Sequence, residues 1–322
     1  MFFILSGLLT GAAGAWLVGC HAQRFGLIDV PDGRSSHRRP TPRGGGIGIL
    51  ATVAMGGVTG LVSPALTVGT CLVGAMSFVD DVRPLSARLR LTAQLIVAGA
   101  VLVYTWAGQD SSVMLWFAPA LLFVAGTANF FNFMDGINGI AGSSGMIAFA
   151  LLALFADLSG ADAGMIWFCA AMAAACAGFL PFNVPRARVF MGDVGSVTLG
   201  FLFALVVFSL ANTWLDFLCM ASFLFPFYAD TLSTLYIRWR AGEKLSQAHR
   251  RHLYQILANE YGIRHWLVSF VYAIVQCGWG FLMLFAWIKG PFFQLLCALA
   301  MALLFLAAAW PIRRHIGMGR EV

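Results

Sequence analysis

The chain has 322 residues, of which 60% are hydrophobic and 11% charged, with a mean hydropathy of +0.83. A water-soluble domain carries about 25% charged residues, so a soluble globular fold is excluded. The net charge of +6 is then a matter of membrane orientation rather than a nucleic-acid footprint.

Apolar runs long enough to cross a bilayer as helices recur along the whole chain. Eleven spans are predicted, over about 2–20, 44–62, 65–79, 91–107, 113–131, 140–157, 164–180, 195–212, 217–237, 266–288 and 292–310, with ten as the alternative count. The third is the shortest, a candidate for a weakly tilted or re-entrant segment. The expected fold is therefore an all-α polytopic bundle forming one domain over residues 1–322. Cys20, Cys71, Cys169, Cys176, Cys219, Cys277 and Cys297 lie in or beside apolar runs without metal-ligand spacing, and read as reduced packing residues.

No basic residue precedes the first span and Arg24 follows it, which predicts an outside N-terminus. Threading from there places the loops 21–43, 80–90, 132–139, 181–194 and 238–265, and the tail after 310, on one side. That side holds every Lys and Arg except Lys289. Such asymmetry marks the cytoplasmic face, so the expected setting is a bacterial inner membrane with an inside C-terminus. The opposite loops are only a few residues long, which confines function to the cytoplasmic loops.

Polar clusters follow in chain order on that face. The first loop, DVPDGRSSHRRPTPRGGGIGIL, collects Arg34, Ser35, Ser36, His37, Arg38, Arg39 and Arg43 before Gly44, Gly45 and Gly46, all compatible with phosphate. In FVDDVRPLSARLR, the adjacent Asp80 and Asp81 stand where a span runs out. They repel unless a cation or basic group compensates; Arg83 and Arg88 beside a solvated loop are the plainer account. In NFFNFMDGINGIAG, Asn129, Asn132, Asp135 and Asn138 crowd a loop with no basic residue. Asn132, Asp135 and Asn138, three apart, share a face if the segment is helical. NVPRARVFMGDVGSVTLGF sets Asp193 between Gly192 and Gly195 at the opening of a span, where backbone N–H groups and the helix dipole suit a metal-bound diphosphate; a plain helix cap by Asp193 is the rival. AGEKLSQAHRRHLYQIL brings His249, Arg250, Arg251 and His252 next to the membrane, either as an anionic-lipid contact or for phosphate binding and proton transfer. Carboxylates for a hard cation and Arg or His for phosphate oxygens are the mixture that cation-held phosphate chemistry needs. A transporter would place lone ionisable groups near mid-span, whereas here nearly all fall at span ends.

In this order, FVDD, NFFNFMDGINGIAG and VFMGDVGS resemble the polyprenyl-phosphate N-acetylhexosamine-1-phosphate transferases, the family of WecA-type and MraY-type enzymes, over about Asp29 to Gln255. The PTPRGGG and AHRRHLYQ segments are most similar to its WbpL-like branch, which initiates O-antigen synthesis. The resemblance implies ten or eleven spans. It also implies transfer of a sugar 1-phosphate from a UDP-N-acetyl sugar to undecaprenyl phosphate, releasing UMP, with Mg²⁺ (or Mn²⁺) as cofactor. By motif, Asp80 and Asp81 match the paired acids near the reacting phosphates, with Asp80 also a metal ligand. Asp135 and Asn132 match the acid and amide of the central loop, Asn138 a position close to the nucleotide, Asp193 the metal-associated Asp, and Phe190 an aromatic that stacks on uracil. Arg43, His249, Arg250 and Arg251 are expected on substrate and His252 in catalysis. RRHLYQIL departs from the family's histidine triplet, with Tyr254 and Gln255 where others have His. The expected partners are the two substrates and the bilayer, with a homodimer as one arrangement open to it and no nucleic acid.

Overall fold

The computed structural model describes residues 1–31, 36, 37, 39–108, 111–245, 247 and 249–315. Ten helices among them are long and apolar enough to cross a membrane. They are α1 (Phe2–Phe25), α3 (Pro64–Val82), α4 (Ala87–Thr105), α5 (Phe117–Phe133, extended by a 3₁₀ turn at Ser111–Trp116), α6 (Ile140–Leu158), α7 (Ala163–Asn183), α8 (Asp193–Leu210), the composite α9 (Trp214–Ala221) and α10 (Phe225–Arg240), α12 (His265–Lys289) and α13 (Pro291–His315). Two shorter helices, α2 (Ile47–Val58) and α11 (Leu253–Asn259), complete the fold.

Ten long helices plus a short one account for the eleven apolar runs, but the short one is not the third. α3 is a full 19 residues because it continues through Asp80 and Asp81 to Val82, where partners described below satisfy both charges. The second run shrinks instead to the 12 residues of α2, about 18 Å of helix at 1.5 Å per residue and short of the roughly 30 Å hydrocarbon core. Its leading glycines are drawn into non-helical pairing: Gly45 N–H donates to Phe190 O (2.9 Å) and Gly46 N–H to Met191 O (2.8 Å). Ile28–Asp29 and Thr41–Pro42 pair antiparallel and close the first loop, and Phe190 N–H donates to Pro42 O (2.7 Å). The first loop is thereby stitched to the Asp193 turn.

α8 is the axis of the bundle. Of its best apolar window, 83% is buried, and α3, α5, α2 and α6 pack round it. That explains why its sequence is apolar on all sides rather than striped. α1 lies against α7 so closely that a Cβ at Gly7 or Gly11 would run into the backbone of Ala171 or Ala175, the small-residue contact by which helices associate in lipid. α13 is peripheral, with 22% of its window buried. Antiparallel threading brings the C-terminal ends of α3, α5 and α7 and the N-terminal end of α8 to one end of the bundle, where the polar clusters meet.

Candidate active site

Asp81 and Asp193 are joined by capping. A helix start leaves N–H groups without intrahelical partners, and at α8 the cap comes from another helix. Asp193 N–H and Val194 N–H donate to Asp81 Oδ1 and Oδ2, both at 3.0 Å. Asp193 is thus the first residue of α8 rather than its cap. Gly192 holds φ of 75°, and a Cβ there would strike Asp81 Oδ2 and the Gly44 backbone, so glycine is required by both conformation and space. The Asp193 carboxylate accepts from Asn132 Nδ2 on Oδ1 (2.8 Å) and from Arg90 Nη1 on Oδ2 (2.9 Å).

Asp80 faces away. Its Oδ1 accepts from Leu85 N–H (2.5 Å) and its Oδ2 from Arg90 Nη1 (2.6 Å). Successive helical residues diverge by about 100°, so the two adjacent acids take different tasks. Asp81 opens on a cavity of about 280 Å³, whereas Asp80 is not among the residues lining it. Arg90, which counts in the sequence only as a basic residue, ties Asp80 to Asp193.

The cavity is also lined by Asn132, Asp135, Asn138, Arg43 and Phe190. α5 ends at Phe133, so Asp135 and Asn138 belong to a loop rather than to one helical face, yet the loop still turns them inward. Asn138 Nδ2 donates to Pro185 O (3.3 Å), and Gly139 N–H donates to Asn183 Oδ1 (2.5 Å), which fixes the loop's exit. Among the described residues Asp135 has no hydrogen-bond partner for its carboxylate. Burial, with Asp193 and Asp81 facing it, raises its pKa well above the usual carboxylate value.

The first loop supplies the outer wall. His37 packs edge-on against Phe190, ring centroids 4.8 Å apart, and a neighbouring hollow of about 470 Å³ shares His37, Asn138, Phe190 and His265 while adding Arg39 and Arg186. Of the phosphate-compatible candidates in that loop, Arg34, Ser35 and Arg38 lie outside the described residues.

The last-loop candidates sit farther back. His252 is 2% exposed and does not line the cavity; its ring stacks on Phe133 and Tyr254. His249 accepts from Arg251 N–H (3.3 Å) and is pulled down to about 4, first by burial and then by the nearby His252 and Arg238. Arg251 pairs with Glu243, as does Arg238 (3.0 Å). Among the described residues of loop 238–265, Gln255 and His265 reach the cavity. His265, Asn183, Arg90 and Asp29, to which the sequence assigns no role in the site, join it through tertiary contacts that no local motif announces, while Gln255 stands at a position where the resemblance puts a histidine.

The donor set suits a divalent cation held jointly with a ligand. Among the described residues Asp29, Asp81, Asp135 and Asp193 line the cavity with Arg43, and Arg90 stands behind Asp193, which leaves an anionic excess around the cavity. Among the described residues no three acidic, His or Cys side chains converge into a complete cage. Magnesium characteristically takes one or two carboxylates and completes its shell with water and substrate phosphate.

A groove of about 450 Å³ runs along the lipid-facing side of α5, lined by Phe123, Gly126 and Phe130 with Phe217, Phe225 and Tyr228 opposite. It climbs towards the end of α5 that carries Asn132.

Residues 63–211 match the glycosyl transferase family 4 profile, a stretch that contains Asp80, Asp81, Asn132, Asp135 and Asp193. A probable undecaprenyl-phosphate N-acetylglucosaminyl 1-phosphate transferase of Bacillus subtilis is 32% identical over 62% of this chain and 59% of its own length, so the matched region spans less than two thirds of that protein. A decaprenyl-phosphate N-acetylglucosaminephosphotransferase of Mycolicibacterium smegmatis is 30% identical over 79% of this chain and 74% of its own. A phospho-N-acetylmuramoyl-pentapeptide-transferase of Trichormus variabilis is 29% identical over 72% and 70%. Similarity of this extent, falling on the residues that build the cavity, makes the chain a member of glycosyl transferase family 4, within its WecA-like and MraY-like group.

Proposed function

We propose that the protein transfers an N-acetylhexosamine 1-phosphate, or a related N-acetylated sugar 1-phosphate, from a UDP-sugar to undecaprenyl phosphate, releasing UMP and starting a lipid-linked envelope glycan such as O-antigen. The observation that carries this reading is the meeting of Asp81, Asp135 and Asp193 around one polar cavity at the end of a membrane bundle, beside an apolar groove. Water-soluble nucleotide and membrane-bound acceptor need such a junction.

The concentration of Lys and Arg in the loops on the cavity's side supports a site at the cytoplasmic face of the inner membrane, with the N-terminus outside. The donor enters through the hollow of Arg39, Arg186, His37 and His265, with uracil against Phe190 and phosphates towards Arg43. Asn138 borders the nucleotide. The isoprenoid chain lies in the α5–α10 groove and delivers its phosphate past Asn132.

An oxygen of the acceptor phosphate attacks the sugar-bearing phosphorus of the donor. The new P–O bond forms as the bond to the bridging oxygen breaks, and that oxygen leaves on UMP. Mg²⁺ (or Mn²⁺), when bound, neutralises phosphate charge, and Asp193 with Asp135 are the residues that would hold it. Asp81 fixes the start of α8 and with it the Asp193 carboxylate. Asp80 orients Arg90. Asp135 faces the cavity without a hydrogen-bond partner among the described residues, which leaves its carboxylate available to a bound cation. His249, Arg250, Arg251 and His252 lie back from the cavity, in the loop that leads to Gln255 at its wall.

The test is release of UMP from UDP-GlcNAc by purified protein with undecaprenyl phosphate and Mg²⁺, abolished by EDTA. A panel of UDP-sugars including 6-deoxy donors then identifies the sugar. Absence of UMP with every donor overturns the proposal.

A further inference from the structure

A second polar centre lies outside the cavity, sealed inside the bundle. Asp230 of α10 is 0% exposed. Its Oδ1 accepts from Leu253 N–H (2.7 Å) and Arg313 Nη2 (3.0 Å), and its Oδ2 from Tyr272 Oη (2.8 Å) and Tyr254 N–H (3.2 Å). Arg313 also donates to Thr234 Oγ1 (3.0 Å). His252 Nδ1 stands 3.7 Å from Asp230 Oδ1. One carboxylate therefore ties together α10, the start of α11, α12 and the last helix, α13.

Helix packing alone does not call for this. A desolvated ion pair is replaceable by apolar side chains with little loss of stability, so its presence asks what the fixed geometry serves. The answer lies along α11. Tyr254, whose N–H is held by Asp230, donates from Oη to Phe133 O (2.8 Å), and a Cβ on Gly136 would collide with that hydroxyl. The phenol thus bonds one end and abuts the other end of the segment 133–136, which begins one residue beyond Asn132 and carries Asp135. Asp230, Tyr254 and Arg313 all lie outside the matched residues 63–211.

We propose that Asp230, held in place by Arg313, is a positioning residue for the transfer reaction. It fixes the start of α11 so that Tyr254 locks the Asn132–Asp135 segment in its working position. This rests on the transferase reading above, and the experiment separates the two. Wild type, D230N, D230N/R313M, R313M and R313K are compared for UMP release from UDP-GlcNAc in Mg²⁺, for thermal transition, and for amide hydrogen exchange at Leu253 and Tyr254.

Single removal of either charge leaves the other buried and unpaired, so D230N and R313M lose stability, whereas D230N/R313M carries no orphan charge and recovers it. If Asp230 positions α11, the double variant still loses kcat by at least about tenfold, with donor KM changed less than kcat and with faster exchange at Leu253 and Tyr254. R313K retains most of the rate. Wild-type kcat in D230N/R313M, or unchanged exchange at the two amides, overturns the proposal, because Asp230 would then serve only to neutralise Arg313. Should wild type release no UMP from any donor, the transferase reading fails, while the exchange measurement still decides whether Asp230 anchors α11.

Discussion

Two groups of buried acids share this bundle and differ in one respect. Around Asp230 every acceptor is filled, a single guanidinium balances the charge, and the site is closed. Around Asp193, Arg90 binds both Asp193 and Asp80, Asp135 has no hydrogen-bond partner among the described residues, and the group opens on a cavity. Desolvation penalises both alike. A sealed carboxylate with both oxygens filled is a fastening, whereas an anionic group open to a cavity is a place where charge from outside is awaited. The contrast assigns chemistry to the α3–α8 end and geometry to the α10–α13 end.

The strongest way to break that contrast is at Asp193. Asp193→Asn keeps the shape and removes a charge from the open group. UMP release is expected to fall by about 10³-fold, with the thermal transition in EDTA unchanged or raised because repulsion with Asp81 and Asp135 is relieved. Near-normal turnover would move the chemistry elsewhere.

A smaller effect is expected from neutralising the basic partner of each group. Arg90→Met should lower the rate by about 10²-fold and reduce the thermal transition in EDTA, and added Mg²⁺ should restore stability more than it does for wild type, since a cation can take over the lost positive charge. Arg313→Met should be destabilised as well, and Mg²⁺ should do nothing for it, because Asp230 is sealed. Equal rescue of the two by Mg²⁺ would erase the distinction between open and closed sites.

Much of this was legible in the chain, for identifiable reasons. Hydrophobic runs of span length are dictated by the bilayer and need no tertiary context, so the helices fell close to where expected. The acids of FVDD, MDG and MGDVG could be picked out because charge at a span end demands an explanation. Local sequence could not say which of Asp80 and Asp81 faces inward, since that depends on the rotation of α3 against α8. Nor could it show that α2 stops short, because its glycines are consumed by pairing with Phe190 and Met191. Asp230 was hidden within FPFYADTLSTLYIRW by its apolar neighbours. The signal was there, since an ionisable residue inside a span is functional until shown otherwise, but its partner Arg313 lies more than eighty positions away.

The mildest effect separates the two loops by pH. His249 is held at about 4, below the usual histidine value of about 6.5. Between those values the unfolded chain binds the proton and the folded one does not, so stability from this group is present above about 6.5 and is lost as pH falls towards about 4. Asp135 has the opposite sign: its pKa is raised, so the folded chain keeps a proton that the unfolded chain has released, and stability falls as pH rises above the usual carboxylate value of about 3.9. In EDTA, His249→Gln should flatten the acid-side loss by roughly 1 °C in the thermal transition, and Asp135→Asn should flatten the loss on the rising side. Mg²⁺ should suppress the second slope and leave the first untouched, because His249 lies back from the cavity while Asp135 lines it. A magnesium response at His249 would bring the last loop into the cation site and move the boundary between fastening and chemistry.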